Sequence, residues 1–169
     1  MPLRDLAADL PDTPPEVAAS WESRAPGTYL LSIHLDRDRT IQVGRLGQIA
    51  FRAGWYVYVG SALGGLGARL RRHARQEKPH HWHIDALRAV GTLAEVAVRP
   101  GAERIECAVA ATVAALPGAT QPVPRFGSSD CRCQTHLFHF AAAPGLQLDD
   151  SWVLLPLATQ PHPAMTGNG

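Results

Sequence analysis

The sequence predicts an α+β domain: a small, mostly antiparallel central sheet of three core strands plus an inserted hairpin, flanked by helices. Three observations carry this. Runs of aromatic and β-branched residues with period-two alternation recur along the chain. Between them lie segments whose apolar residues repeat every 3.6 positions or so. The two kinds are mixed without the strict strand–helix alternation of a parallel sheet. A length of 169 residues, 46% hydrophobic and 18% charged, suits one globular domain with a substantial core.

Residues 1–25 are rich in Pro, Ala and Asp and read as a flexible N-terminal arm. The folded body is expected over residues 26–144. It opens with "GTYLLSIHL", Gly27 to Leu35, a strand with Tyr29, Leu31, Ile33 and Leu35 on one face. "DRDR" is a charged turn, and "TIQVG" with "GQIAFRAG" forms the inserted hairpin within residues 36–53. The strand "WYVYVG" follows. A helix is predicted from Gly65 to Gln76, with Leu66, Leu70 and Ala74 as its buried stripe and Pro79 as its stop. "HWHIDALRAV" is a short helix and "TLAEVAVRP" another strand. "AERIECAVAATVAALPG" is the clearest helix, with Ile105, Ala108, Val109, Thr112, Val113 and Leu116 at helical spacing and Pro117-Gly118 ending it. "THLFHF" closes the body as a strand. Residues 145–169 are a C-terminal segment, with the apolar stretch "SWVLLPLA", and a disordered tail.

No apolar run approaches the length of a membrane span. "MPLRDLAADLPDTPPE" has acidic residues and prolines where a secretory signal needs a basic start and an apolar core. Three cysteines, an odd number, argue against a disulfide framework. A cytoplasmic location is the expectation. The net charge of +1 is uninformative as a total, but its distribution is not. Arg69, Arg71, Arg72, Arg75 and Lys78 crowd one short stretch against a single Glu77, just past a strand and a glycine cluster. A phosphate-rich partner is the natural suspicion.

"GTY" at Gly27–Tyr29 and "YVG" at Tyr58–Gly60 resemble the two halves of the GIY-YIG nuclease motif. Arg69, nine residues after Gly60, lies where that family has its catalytic arginine, and Glu106 lies where it has its metal-binding glutamate. "KPHHWHIDAL" and "GSSDCRCQTHLFHF" resemble its Uri-like branch. The resemblance spans roughly residues 26 to 140. It implies a metal-dependent DNA endonuclease with one divalent ion, Mg²⁺ or Mn²⁺, held by Glu106. Tyr29, paired with Tyr58, would be the general base, and Arg69 would hold the scissile phosphate. His73, one turn beyond Arg69, would add a phosphate contact or a proton donor. Gly27, Gly60, Ser61, Arg72 and Arg75 would meet substrate, with Gly64, Gly65 and Gly67 allowing close approach of a phosphate.

The chemistry of phosphodiester cleavage asks for the same groups independently: an activated water, a counter-charge for the phosphate oxygens and help for the leaving oxygen. Taken singly, each residue also has a bland reading. A strand tyrosine packs with its hydroxyl at the rim, a first-turn glutamate answers the helix dipole, and an arginine run is a solvated face. The sequence departs from the family in three ways. The interval from Tyr29 to Tyr58 is 29 residues, long for the motif and explained by the inserted hairpin. Thr28 and Val59 replace isoleucines. The family's asparagine is missing, since the one asparagine is Asn168, which leaves Ser128, Ser129 or Gln134 as substitutes.

Cys131, Cys133 and His136 form C-x-C-x2-H, three soft ligands that one of His80, His81 or His83 would complete as a zinc site, His83 foremost. The competing reading is two small buried residues beside a strand-edge histidine. His83 with Asp85, or His81 with Asp85, are possible acid/base pairs or ordinary helix-surface pairs. Without a helix-turn-helix or well-spaced zinc finger, specificity would come from nucleic-acid structure, DNA or RNA, or from a protein partner. Two alternatives stay open: a nucleic-acid-binding module that has lost catalysis, and a zinc-stabilised interaction domain.

Overall fold

The computed structural model describes residues 21–157; most of the expected N-terminal arm and the end of the tail lie outside them. The sheet is antiparallel throughout. Its strands are β1 (Gly27–Leu35), β4 (Gly54–Ala62), β5 (Thr92–Pro100), β6 (Leu137–Phe140) and β7 (Val153–Leu154), in the order β6-β4-β1-β5-β7. β2 (Arg39–Val43) and β3 (Gly47–Phe51) form the separate hairpin, joined by a 3₁₀ turn at Gly44–Leu46. Among the described residues the helices are α1 (Leu66–Ala74), α2 (His83–Val90) and α3 (Glu106–Ala114).

Alternation along the strands buries both faces, because each face carries apolar residues. Tyr29, Leu31, Ile33 and Leu35 of β1 point with Tyr56, Tyr58, Val96 and Val98 toward α1, α2 and the hairpin. Leu30, Val57, Val59, Ala97, Phe138 and Phe140 point the other way, toward α3. The stripe of α1 is Leu66, Leu70 and also His73, which is fully buried where an arginine-rich helix suggests an exposed side chain. In α3 the buried positions are Val109, Ala110 and Val113, following Ile105; Ala108 is exposed rather than inward. The helix is shorter than its apolar pattern suggests and starts at Glu106 itself.

Beyond residue 144 the chain goes on packing against the sheet. Trp152 and Leu155 are buried, and the Leu155 amide donates to the Val96 carbonyl at 2.9 Å, so β7 extends the β5 edge. At the other end of the chain, residues 21–25 run over the start of α1. The Trp21 indole donates to the Pro156 carbonyl, tying the two ends together.

Candidate functional site

The end of the sheet where β1 begins and β4 finishes is open. It forms the floor of a cavity of about 500 Å³ whose walls come from α1, α2, the start of α3 and the loop of residues 126–136. Tyr29, Tyr58, Gly60, Ser61, Arg69 and Glu106 all line it, so residues 77 positions apart in the chain share one space.

The pairing of "GTY" with "YVG" has a steric cause. β1 and β4 pair with Tyr29 opposite Gly60, and the Tyr29 ring lies across that glycine. A Cβ on Gly60 would sit 2.2 Å from the ring. Gly127 performs the same service for Tyr58, whose ring a Cβ there would meet at 2.6 Å. The two phenols are 6.4 Å apart, centre to centre.

The Tyr29 oxygen is 2.8 Å from His73 Nε2. Burial pushes this phenol up to about 12, while the Arg69 guanidinium beside it pulls the other way. Burial raises Tyr58 further. Burial also holds His73 down, to about 3, so its imidazole is neutral at physiological pH. The Tyr29 hydroxyl and His73 Nε2 share one hydrogen bond, whose direction follows the tautomer of the imidazole. His73 therefore orients Tyr29 from behind. It does not line the cavity, and the expected direct phosphate contact gives way to this internal bond.

Arg69 is fixed on two sides. Its Nη1 donates to the Ser61 carbonyl at 2.9 Å, and its guanidinium stacks 4.3 Å from the centre of the Trp82 ring. A planar cation held on an aromatic face keeps its remaining N–H groups aimed at the cavity. Arg72 and Lys78 of the basic stretch are used inside the fold. Arg72 ion-pairs with the fully buried Asp85 at 2.8 Å, and Lys78 donates to the carbonyl of Arg72 near the C-terminus of α1. Arg71 turns to the Trp21 carbonyl and Glu22. Arg75 is exposed outside the cavity. Neither Arg72 nor Arg75 joins the group the sequence assigns to substrate.

Asp85 is likewise no partner for a histidine side chain. Its carboxylate accepts from the amides of His81 and Trp82 and from Arg72, capping α2. Burial alone would raise it, yet these donors, with Lys78 nearby, hold it below the ordinary carboxylate range. The glycine turn before α1 is not a free anion nest, since the Leu66 and Gly67 amides already donate to Ala25 and Ser23. Gly27 is needed for packing: a Cβ there would strike Leu66 and the Arg99 carbonyl.

Glu106 reaches the cavity from the first turn of α3. Its Oε2 is buried and has no hydrogen-bond partner among the described residues. An unpartnered carboxylate oxygen is costly to bury unless a cation or donor meets it. A cation or a hydrogen-bond donor would satisfy this atom. The neighbouring Cys107 completes a second feature. Cys107, Cys131, Cys133 and His136 bring one ligand atom each within 4.8 Å of one another, a Cys₃His cluster that can hold a metal. Burial and the adjoining thiols push Cys107 up to about 12. His83 is not part of the cluster; its ring packs on Phe126, 5.5 Å away. Of the asparagine substitutes, Ser129 lines the cavity, Ser128 is buried beneath it and Gln134 is exposed.

Sequence reasoning missed Trp82, Arg104 and Cys107. The last had a signal, being the third of three cysteines and adjacent to Glu106. Arg104 adds a second cation to the rim. Among the described residues, no helix is long and apolar enough to cross a membrane.

Fold and site together define an α+β domain with one open cationic–acidic cavity and a Cys/His metal-ligand cluster at its wall. The chain belongs to the DUF123 family, a domain of unknown function, whose model matches residues 28–150. No curated protein and no solved structure matches it.

Proposed function

We propose that this domain is a metal-dependent endonuclease that hydrolyses phosphodiester bonds in DNA, as its resemblance to GIY-YIG nucleases implies. The observation that carries the reading is the convergence of Tyr29, Arg69 and Glu106, from β1, α1 and α3, around one cavity. Three such groups, with an unpartnered buried carboxylate oxygen among them, match what in-line attack of water on a phosphodiester requires.

Arg69, pre-set by Ser61 and Trp82, holds the non-bridging phosphate oxygens and offsets the charge they gain. Arg104 at the rim attracts the flanking backbone. Tyr29, oriented by His73, would take the proton of the attacking water as a phenolate, which the Arg69 guanidinium beside it favours. A divalent ion held by Glu106 would supply Lewis acidity at the phosphate and the leaving oxygen. Tyr58 closes the floor beside Tyr29 and keeps bulk water away from it.

The test is incubation of the full chain with single-stranded, duplex and branched DNA in Mg²⁺ or Mn²⁺, against EDTA. Tyr29→Phe, Arg69→Ala and Glu106→Ala run in parallel, with RNA as a further substrate. Cleavage that needs the ion and falls at least ~100-fold in each folded variant supports the scheme. Salt-sensitive binding without cleavage in any ion would replace it with a binding module.

A further inference from the structure

We propose that Cys107, Cys131, Cys133 and His136 form a closed Zn²⁺ site whose ion clasps the 125–136 loop onto the first turn of α3. This is a site distinct from the carboxylate of Glu106, and it stands whether or not the cavity cleaves DNA.

Two of the six ligand–ligand distances are close to the edges of a tetrahedral thiolate–imidazole shell, and all six are within 4.8 Å. Zn–S of ~2.3 Å and Zn–N of ~2.0 Å give tetrahedron edges of roughly 3.5 to 3.8 Å. His136 Nε2 lies 3.5 Å from Cys131 Sγ and 3.9 Å from Cys107 Sγ. The cysteines are free thiols, not a disulfide pair. Three sulfurs and one nitrogen make a soft set that selects zinc over Mg²⁺ or Ca²⁺. Four protein ligands leave no open position, which marks a structural site.

The loop is shaped to present these ligands. Arg125 adopts a left-handed φ of 65°, unusual for a residue with a Cβ, and its guanidinium donates to the carbonyls of both Cys131 and Cys133. The His136 amide donates to the Phe126 carbonyl, closing the base of the loop. Cys131, Cys133 and His136 thus come from one preformed turn, and Cys107 comes from the opposite wall. An ion joining them would fix Glu106, one residue before Cys107, relative to Gly127 and Ser129 on the loop. Zinc would hold the cavity wall; it would not do chemistry there.

The experiment is metal analysis of the full chain purified without chelator or affinity metal, together with Co²⁺ substitution. One zinc per chain is expected. Co²⁺ should give a tetrahedral d–d spectrum with intense thiolate charge-transfer bands. Cys107→Ser and Cys131→Ser should each weaken binding at least ~10-fold, whereas His83→Ala and Glu106→Ala should leave the stoichiometry at one. Should a cysteine variant fail to fold, thiol labelling of the wild type decides. All three thiols should be protected with zinc and become reactive on chelation. Zinc below a tenth of an equivalent after refolding in excess metal, thiols equally reactive with and without chelator, or zinc lost on Glu106→Ala would overturn the proposal.

Discussion

Gly60→Ala puts the geometry of the cavity floor to a direct test. The added methyl would lie 2.2 Å from Tyr29 Cζ, 2.3 Å from its oxygen and 2.6 Å from Cε2. Ordinary contact begins at 3.4 Å, so the ring must withdraw by more than about 1 Å. Tyr29 is 1% exposed, with the tilted rings of Tyr58 and His73 packed beside it, so withdrawal on those sides is opposed. Overpacking of this kind costs ~1–3 kcal/mol. Losing the buried Tyr29–His73 hydrogen bond adds ~1–3 kcal/mol. The expected destabilisation is therefore roughly 2–6 kcal/mol in urea unfolding, with an unchanged m-value. A double-mutant cycle assigns the cause. In a Tyr29→Ala background, already weakened by its own cavity, the Gly60 substitution should cost under ~1 kcal/mol, because the obstructing ring is gone. A Gly60→Ala protein as stable as wild type, or equal costs in both backgrounds, would refute the idea that this glycine exists to seat Tyr29.

Two further outcomes follow from the charges. His73 is held neutral with a pKa near 3 in the folded chain, while the unfolded imidazole takes up a proton below about 6.5. Between those values the unfolded state binds more protons, so stability should fall as pH drops from about 6.5 toward 3, by at most ~1.4 kcal/mol per pH unit from this group. His73→Gln should flatten that slope in urea titrations, and an unaltered slope would show that another group sets it. Arg72→Ala should act on stability, since it removes the closest ion-pair partner of the buried Asp85 carboxylate, at a cost of ~2–4 kcal/mol tempered by the partial exposure of Arg72. Its affinity for a DNA duplex, measured at a temperature where the variant is folded, should stay within about threefold of wild type. A large loss of affinity with unchanged stability would return Arg72 to the substrate surface.

What the sequence made legible is what local pattern encodes. β1 and β4 carry period-two apolar residues on both faces, so their strand character and their burial between helices follow from the sequence. Tyr29, Arg69 and Glu106 share the cavity, and the register that sets Tyr29 against Gly60 seats the first of them. Non-local partners were not legible. The arginine run looks like an anion-binding surface until Asp85 and the carbonyls at the end of α1 take up Arg72 and Lys78, and nothing near those residues announces it. His73 sits among arginines in sequence yet faces the core, because the 3.6-residue period carries it round to the Leu70 side. Cys107 lies in an apolar helix 24 residues before Cys131, and only the return of the 125–136 loop to α3 joins them. The C-terminal stretch read as a run-out because two strand residues are too few to carry a period, although Trp152 and Leu155 bury themselves beside them.

In the proposed reaction the carboxylate of Glu106 acts in cleavage and is not merely part of the wall. Its sharpest test is to compare cleavage rate and DNA affinity for the wild type and Glu106→Gln, a nearly isosteric change, under saturating Mn²⁺. A carboxylate that acts in cleavage gives Glu106→Gln a rate lower by at least ~100-fold with affinity within about threefold. Equal rates in the two proteins, or a wild type inert toward every DNA form, would contradict it.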